Sequence, residues 1–231
     1  MRFRRYAIFH TPAAGGLADF GAAWLGWDAA AGRKAGHPDL SGLPGLPRPL
    51  TEITETPRKY GLHGTMKPPF RLRAGQDEAA LRAAFARFCA TEDGTMLDGL
   101  ELARLGRFLA LVPVGGSGAL NRLAAATVRA FDPFRAPLNT DELARRRARG
   151  LSARQEALLA QWGYPFVIGE FRYHITLTGR LPRADAEAVK AVLQAALAPL
   201  LPAPWPVDTL SLMGEDAEGY FHLIDRRPLR G

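Results

Sequence analysis

The run Arg4-Arg-Tyr-Ala-Ile-Phe-His-Thr11 is rich in aromatic and apolar residues and predicts a first β-strand. A helical period over Gly16–Trp27 predicts an amphipathic helix, and the Gly- and Pro-dense stretch Ala30–Pro49 predicts a long loop. Further on, the pattern gives a helix over Asp77–Ala90 with Asp77 as its cap, a strand pair at Leu100–Leu105 and Phe108–Val114, and a helix over Ala119–Phe131. Asn139–Gln161 reads as two helices, Phe171–Thr178 as a strand, Ala184–Leu200 as a helix, and Val207–Met213 with Tyr220–Asp225 as a closing hairpin. Another strand lies between Tyr60 and the Pro68-Pro69 breaker.

Strand, helix and strand therefore recur in both halves of the chain. That order predicts an α+β fold: residues 1–231 as one bilobal domain, with two pseudo-twofold-related, antiparallel-rich sheets, helices outside and a cleft between.

Two of the expected strands carry the same pattern of His, any residue, Thr and an apolar residue: His63-Gly-Thr65-Met66 and His174-Ile-Thr176-Leu177. Side chains two apart on a strand project from one face, so each segment offers an imidazole beside a hydroxyl. Brought together, His63, Thr65, His174 and Thr176 supply two groups that titrate near neutrality and two phosphate-oxygen donors, a set sufficient to cleave a phosphodiester. The same alternation places Gly61 and Lys67 on the face of the first motif, and Arg172 and Thr178 on that of the second. Lys67, Arg172 and Thr178 are thus candidate substrate-binding residues. Tyr6 and Tyr60 are candidates for stacking on a sugar or base, or for core packing. His10, His37 and His222 have no Thr partner and no metal-ligand spacing and are assigned to structure, so no metal and no cofactor is expected.

The longer runs Arg58-Lys-Tyr-Gly-Leu-His-Gly-Thr-Met-Lys-Pro-Pro-Phe-Arg-Leu72 and His174-Ile-Thr-Leu-Thr-Gly-Arg-Leu181 resemble the 2H phosphoesterase superfamily. Its members include cyclic nucleotide phosphodiesterases and RNA 2',5'-ligase-like proteins, and the branch most similar to this chain is often encoded with phosphonate-utilisation genes. The resemblance implies a bilobal phosphoesterase acting without metal on a small cyclic phosphodiester of a ribose derivative, such as 5-phosphoribosyl 1,2-cyclic phosphate. An RNA-end-processing enzyme and a non-catalytic phosphate- or nucleotide-binding module are the alternatives. Gly64 departs from the family pattern, which more often has an apolar residue there.

Composition adjusts this picture. A net charge of +7 and a pI near 10.1 invite a nucleic-acid partner, but 26 of the 30 basic residues are Arg in a chain also rich in Ala, Gly and Pro, a pattern of GC-rich coding. A small phosphorylated molecule is therefore the expected partner and RNA the second choice. Two of the four lysines, Lys59 and Lys67, flank the first motif. The run Arg145, Arg146, Arg147 and Arg149 reads as a solvated helix face or a contact for a polyanion. Gly115-Gly-Ser-Gly118 lacks the Gly-Lys-Ser/Thr ending of a P-loop and reads as a plain strand-to-helix connection. The single Cys89, on a helix, allows no intramolecular disulfide and suits a buried inert thiol. With no long apolar run and no signal-peptide core at the start, a cytoplasmic protein without membrane contact is expected. The oligomeric state is left open.

Overall fold

Seven antiparallel strands organise the computed structural model, which describes residues 2–43, 45–148 and 150–231. Pro44 of the expected loop and Arg149 of the arginine run lie outside the described residues. The strands are β1 (Arg5–His10), β2 (Gly64–Phe70), β3 (Gly99–Leu105), β4 (Phe108–Val114), β5 (Ile175–Thr176), β6 (Thr209–Glu215) and β7 (Phe221–Pro228). Their order across the sheet is β7-β6-β1-β2-β5-β4-β3. The α+β class is as the sequence predicts. The two expected sheets are hydrogen-bonded into one, however: a four-stranded half meets a three-stranded half along a seam whose one registered pair is Gly64 facing Ile175.

The sheet is two-faced because its strands alternate. Ile8, Met66, Leu109, Leu111, Ile175, Leu210 and Leu212 form the back face within the main core. Three helices contribute to that core: α2 (Glu78–Thr91) through Leu81, Phe85 and Phe88, α3 (Gly118–Ala130) through Leu120 and Leu123, and α6 (Arg183–Leu197) through Val189, Val192 and Leu193. Cys89 on α2 is buried in the same core, and burial pushes its thiol up to about 12. The front face carries a smaller cluster of Ala7, Phe9, Met213 and Phe221, with Tyr60, Ala29 and Leu223 packed against it.

Local chemistry sets the helix ends. Helix α1 (Gly16–Leu25) stops short of Trp27 because Gly26 turns left-handed at φ 77°. Asp77 caps α2 by accepting from the Ala80 amide at 2.7 Å, as predicted. Capping boxes start α4 (Thr140–Arg147) at Asn139 and Glu142, and α5 (Ala153–Trp162) at Ser152 and Gln155. Among the described residues of 30–49 the only strand is Arg33–Lys34, paired with Trp27–Asp28 just before the stretch; Leu40, Leu43 and Leu46 pin the stretch to the core. The strand expected over Phe171–Thr178 is reduced to Ile175–Thr176, since a 3₁₀ turn at Ile168–Glu170 precedes it and the amides of Leu177 and Thr178 both bond the Leu109 carbonyl. No helix among the described residues is long and apolar enough to cross a membrane.

Candidate active site

The seam between the halves brings the two motifs together. Because Gly64 faces Ile175 in an antiparallel pair, the register sets Thr65 opposite His174 and His63 opposite Thr176. Facing residues lie about 5 Å apart at Cα and diagonal ones about 7–8 Å, so the four side chains form a square on the front face with the histidines on one diagonal. The charge of His174 acts on His63, which places the two imidazoles in each other's field.

Both rings are held in the same way. His63 Nδ1–H donates to the Gly61 carbonyl at 2.9 Å and His174 Nδ1–H to the Arg172 carbonyl at 2.8 Å, each to the residue two before it. That bond fixes one tautomer and leaves Nε2 for chemistry. The Thr65 hydroxyl donates to His63 Nε2 at 3.1 Å. Thr176 is half-buried and its hydroxyl has no hydrogen-bond partner among the described residues.

The surroundings differ. His63 stacks on Phe9 at 3.9 Å between ring centroids and lies beside Tyr60 at 5.7 Å, and burial among these rings pushes its pKa down to about 4. His174 has Phe108 nearby at 5.8 Å and a more open environment. The two flanking Phe residues escaped the sequence reading; strand alternation put Phe9 on an apolar run but gave no sign of which histidine it would cover.

Of the predicted binding residues, Tyr60 is at the site and Arg172 is adjacent to it, with an exposed side chain that has no hydrogen bond or ion pair among the described residues. Three others are corrected. A β-bulge in β2 sets Ile8 opposite Lys67 and the next residue, Phe9, opposite Thr65, so Lys67 turns to the back face. There its ammonium is buried, donating to the Val128 carbonyl at 3.1 Å and lying 3.7 Å from Asp132, and desolvation lowers its pKa to about 8. The Thr178 hydroxyl is consumed structurally, accepting from the Leu109 amide at 3.0 Å and donating to the Gly179 carbonyl at 2.9 Å. Tyr6 belongs to the back-face core with its hydroxyl donating to Glu78 at 3.0 Å, and burial pushes its pKa up to about 12.

Gly64 also finds its explanation here. A Cβ at this position would sit 2.3 Å from the Tyr173 ring, which fills the space beneath the seam and whose hydroxyl donates to buried His10 at 2.6 Å. His222 pairs with Asp216 at 2.8 Å and His37 with the Ala23 carbonyl at 3.1 Å, so these three histidines have structural partners. No group of three His, Cys, Asp or Glu side chains that could hold a metal ion occurs among the described residues.

The chain is 38% identical over 220 residues to "Ribose 1,5-bisphosphate phosphokinase PhnN" of Janthinobacterium sp. (strain Marseille), covering 93% of this chain and 48% of that protein. It is 36% identical over 184 residues to the protein of the same name from Laribacter hongkongensis (strain HLHK9), covering 78% of this chain and 41% of that one. The chain thus spans about half the length of these curated relatives. Similar solved structures include TT0787 of Thermus thermophilus, with a TM-score of 0.45 at 17% identity over 98% of both chains. Another is E. coli LigT complexed with 3'-AMP, with a TM-score of 0.43 at 16% identity over the whole of both. Residues 65–222, more than half of the chain and including the second motif, match a family model described as "Protein of unknown function (DUF1045)", and the chain belongs to that family.

Proposed function

We propose that this chain is a 2H-type phosphoesterase that opens a small cyclic phosphodiester of a ribose derivative. The observation that carries this reading is the square of His63, Thr65, His174 and Thr176, two matched acid–base and hydroxyl pairs on one face across a single strand seam.

Their differences divide the labour. His63, kept neutral by desolvation beside its aromatic neighbours, presents Nε2 as the base that takes a proton from water as the water oxygen bonds phosphorus. His174, in its ionised form, gives its Nε2 proton to the sugar oxygen as the ring P–O bond breaks. The product is a phosphomonoester, and the proton gained by His63 and lost by His174 is exchanged through solvent. Thr65 and Thr176 donate to the non-bridging oxygens, on which charge builds in the transition state. When phosphate binds, Thr65 turns its hydroxyl from His63 Nε2 to the ligand and frees that nitrogen for water.

The relatives' name supports a phosphorylated ribose as substrate, with 5-phosphoribosyl 1,2-cyclic phosphate as the leading candidate. Kinase chemistry is not proposed for this part of the relatives' length, because the chain contains no Gly-Lys pair and hence no P-loop. The test is a panel of cyclic phosphates, including cyclic ribose phosphates and 2',3'-cyclic nucleotides, followed by ³¹P NMR. Ring opening that persists in chelator and is lost in His63→Ala and His174→Ala is the expected result. No turnover of any member overturns the reading.

A further inference from the structure

The arginine run on α4 is not a uniform solvated face. Arg147 fits that description, since it pairs with Glu156 across to α5. Arg145 and Arg146 instead line an open groove of about 380 Å³ together with Arg5, Glu142, Tyr164 and Phe166. Charge there is unevenly balanced. Glu215 pairs with Arg5, and Glu142 pairs with Arg71 at 2.9 Å and lies in the field of Arg146, while Arg145 is exposed with no ion pair among the described residues. Arg146 stacks over Tyr164 with its guanidinium carbon 4.7 Å from the ring centroid, so its cation is held in a set orientation at the groove wall. Phe166 is one of three large apolar side chains left markedly exposed among the described residues, at 37%, and it stands in the same groove.

This groove connects to the His/Thr square through side chains. The Arg5 guanidinium lies in the field of Tyr60, and the Tyr60 ring lies beside His63. Along β1, Arg5 and Phe9 point to the same front face, roughly 13 Å apart at 3.3 Å per residue, and Phe9 is the ring on which His63 stacks. A ligand whose reactive phosphate sits between the histidines could thus run over Tyr60 and end among the arginines.

We propose that the groove of Arg5, Arg145, Arg146, Tyr164 and Phe166 is a subsite for a second phosphate of the same ligand, with Phe166 covering the sugar or base that bears it. Guanidinium groups chelate phosphate oxygens in pairs, and an exposed aromatic face beside them suits a ring attached to that phosphate. This deepens the phosphoesterase reading and rests on it for its kinetic test. The second phosphate has two chemical sources, a terminal phosphate on the sugar or the phosphate of a neighbouring nucleotide.

The experiment compares kcat/KM for paired substrates: a cyclic ribose phosphate with and without its 5-phosphate, and a dinucleotide ending in a 2',3'-cyclic phosphate against the mononucleotide. In the wild type, at least one pair should favour the member with the second phosphate by about 10- to 100-fold, and the pair that does so identifies the source. In R145Q/R146Q, with folding checked by circular dichroism, that ratio should collapse toward one; R145Q alone, at an exposed position, should reduce it in part. Ratios near one in the wild type, or a ratio untouched by the substitutions, overturn the proposal. If the wild type turns over no cyclic phosphate, the phosphoesterase reading has failed and the groove is judged by calorimetric titration with inorganic pyrophosphate. Binding in the wild type that is lost in R145Q/R146Q upholds the subsite, and absent or unchanged binding overturns it.

Discussion

The two motif segments share a pattern and a backbone device, yet the sheet has placed them in unlike company. His63 stacks on Phe9 beside Tyr60 and is bonded by Thr65, whereas His174 has Phe108 at 5.8 Å and more exposed surroundings. Each uses the same Nδ1–H bond to the carbonyl two residues before it, so the backbone gives both histidines one tautomer. What distinguishes them is desolvation, which favours the neutral form of His63 and suits it to the base role. Matched motifs thus present two like groups, and the packing around them makes their environments unequal, the asymmetry on which the proposed division into base and acid rests.

The largest expected effect is loss of either ring. His63→Ala and His174→Ala should each lower kcat by about 10² to 10⁴ with the fold retained, measured by turnover beside circular dichroism. A loss at one histidine only would break the symmetry of the proposed acid and base. Next come the hydroxyls: Thr65→Val and Thr176→Val should each cost about 10- to 10²-fold in kcat, as removal of one donor to a developing oxyanion does. A change confined to KM would show that they bind the ground state only.

Gly64→Ala tests the seam itself. Its Cβ meets the Tyr173 ring at 2.3 Å, so the substitution should destabilise by about 1–3 kcal/mol in a urea melt, and Tyr173→Ala in the same chain should restore part of this. An unchanged melt would mean that the seam yields freely.

The pH dependence sharpens the comparison between the two histidines. With His63 lowered to about 4, the base remains neutral well below the usual histidine range, so the acid limb of kcat/KM should lie below pH 6. Phe9→Ala or Tyr60→Ala admits water to that ring and should move the limb upward toward 6.5; an unmoved limb would assign it to another group. The same depression links to stability. His63 and buried His10, also lowered to about 4 by burial, take up protons more readily unfolded than folded between pH 6.5 and 4. Stability conferred by these two groups is therefore fully present above 6.5 and declines as pH falls through that window. The smallest effect on catalysis belongs to Lys67→Met, which should change kcat/KM less than about 2-fold while altering stability, because this ammonium lies behind the sheet.

Much of the architecture was legible from local pattern. The strands at Arg5–His10, Gly99–Leu105, Phe108–Val114 and the closing hairpin, and helices α2, α3 and α6, lie where periodicity and capping residues put them, because alternation and the 3.6-residue period depend on near neighbours. For the same reason each His and Thr two apart was readable as a pair on one face. The rest depended on contacts distant in sequence. Periodicity cannot show the bulge that carries Lys67 to the back, since one extra residue reverses every later side chain and is detected only against the partner strand. Nor does a hydroxyl reveal its partner: Thr178 and Tyr6 were committed to Leu109 and Glu78, 69 and 72 residues away. By itself the sequence determined most of the secondary elements and the two His/Thr pairs; tertiary structure decided how far the motif strands extend, the single seam that joins them, the rings that desolvate one histidine, and which cations share its face, because register and burial are set between segments.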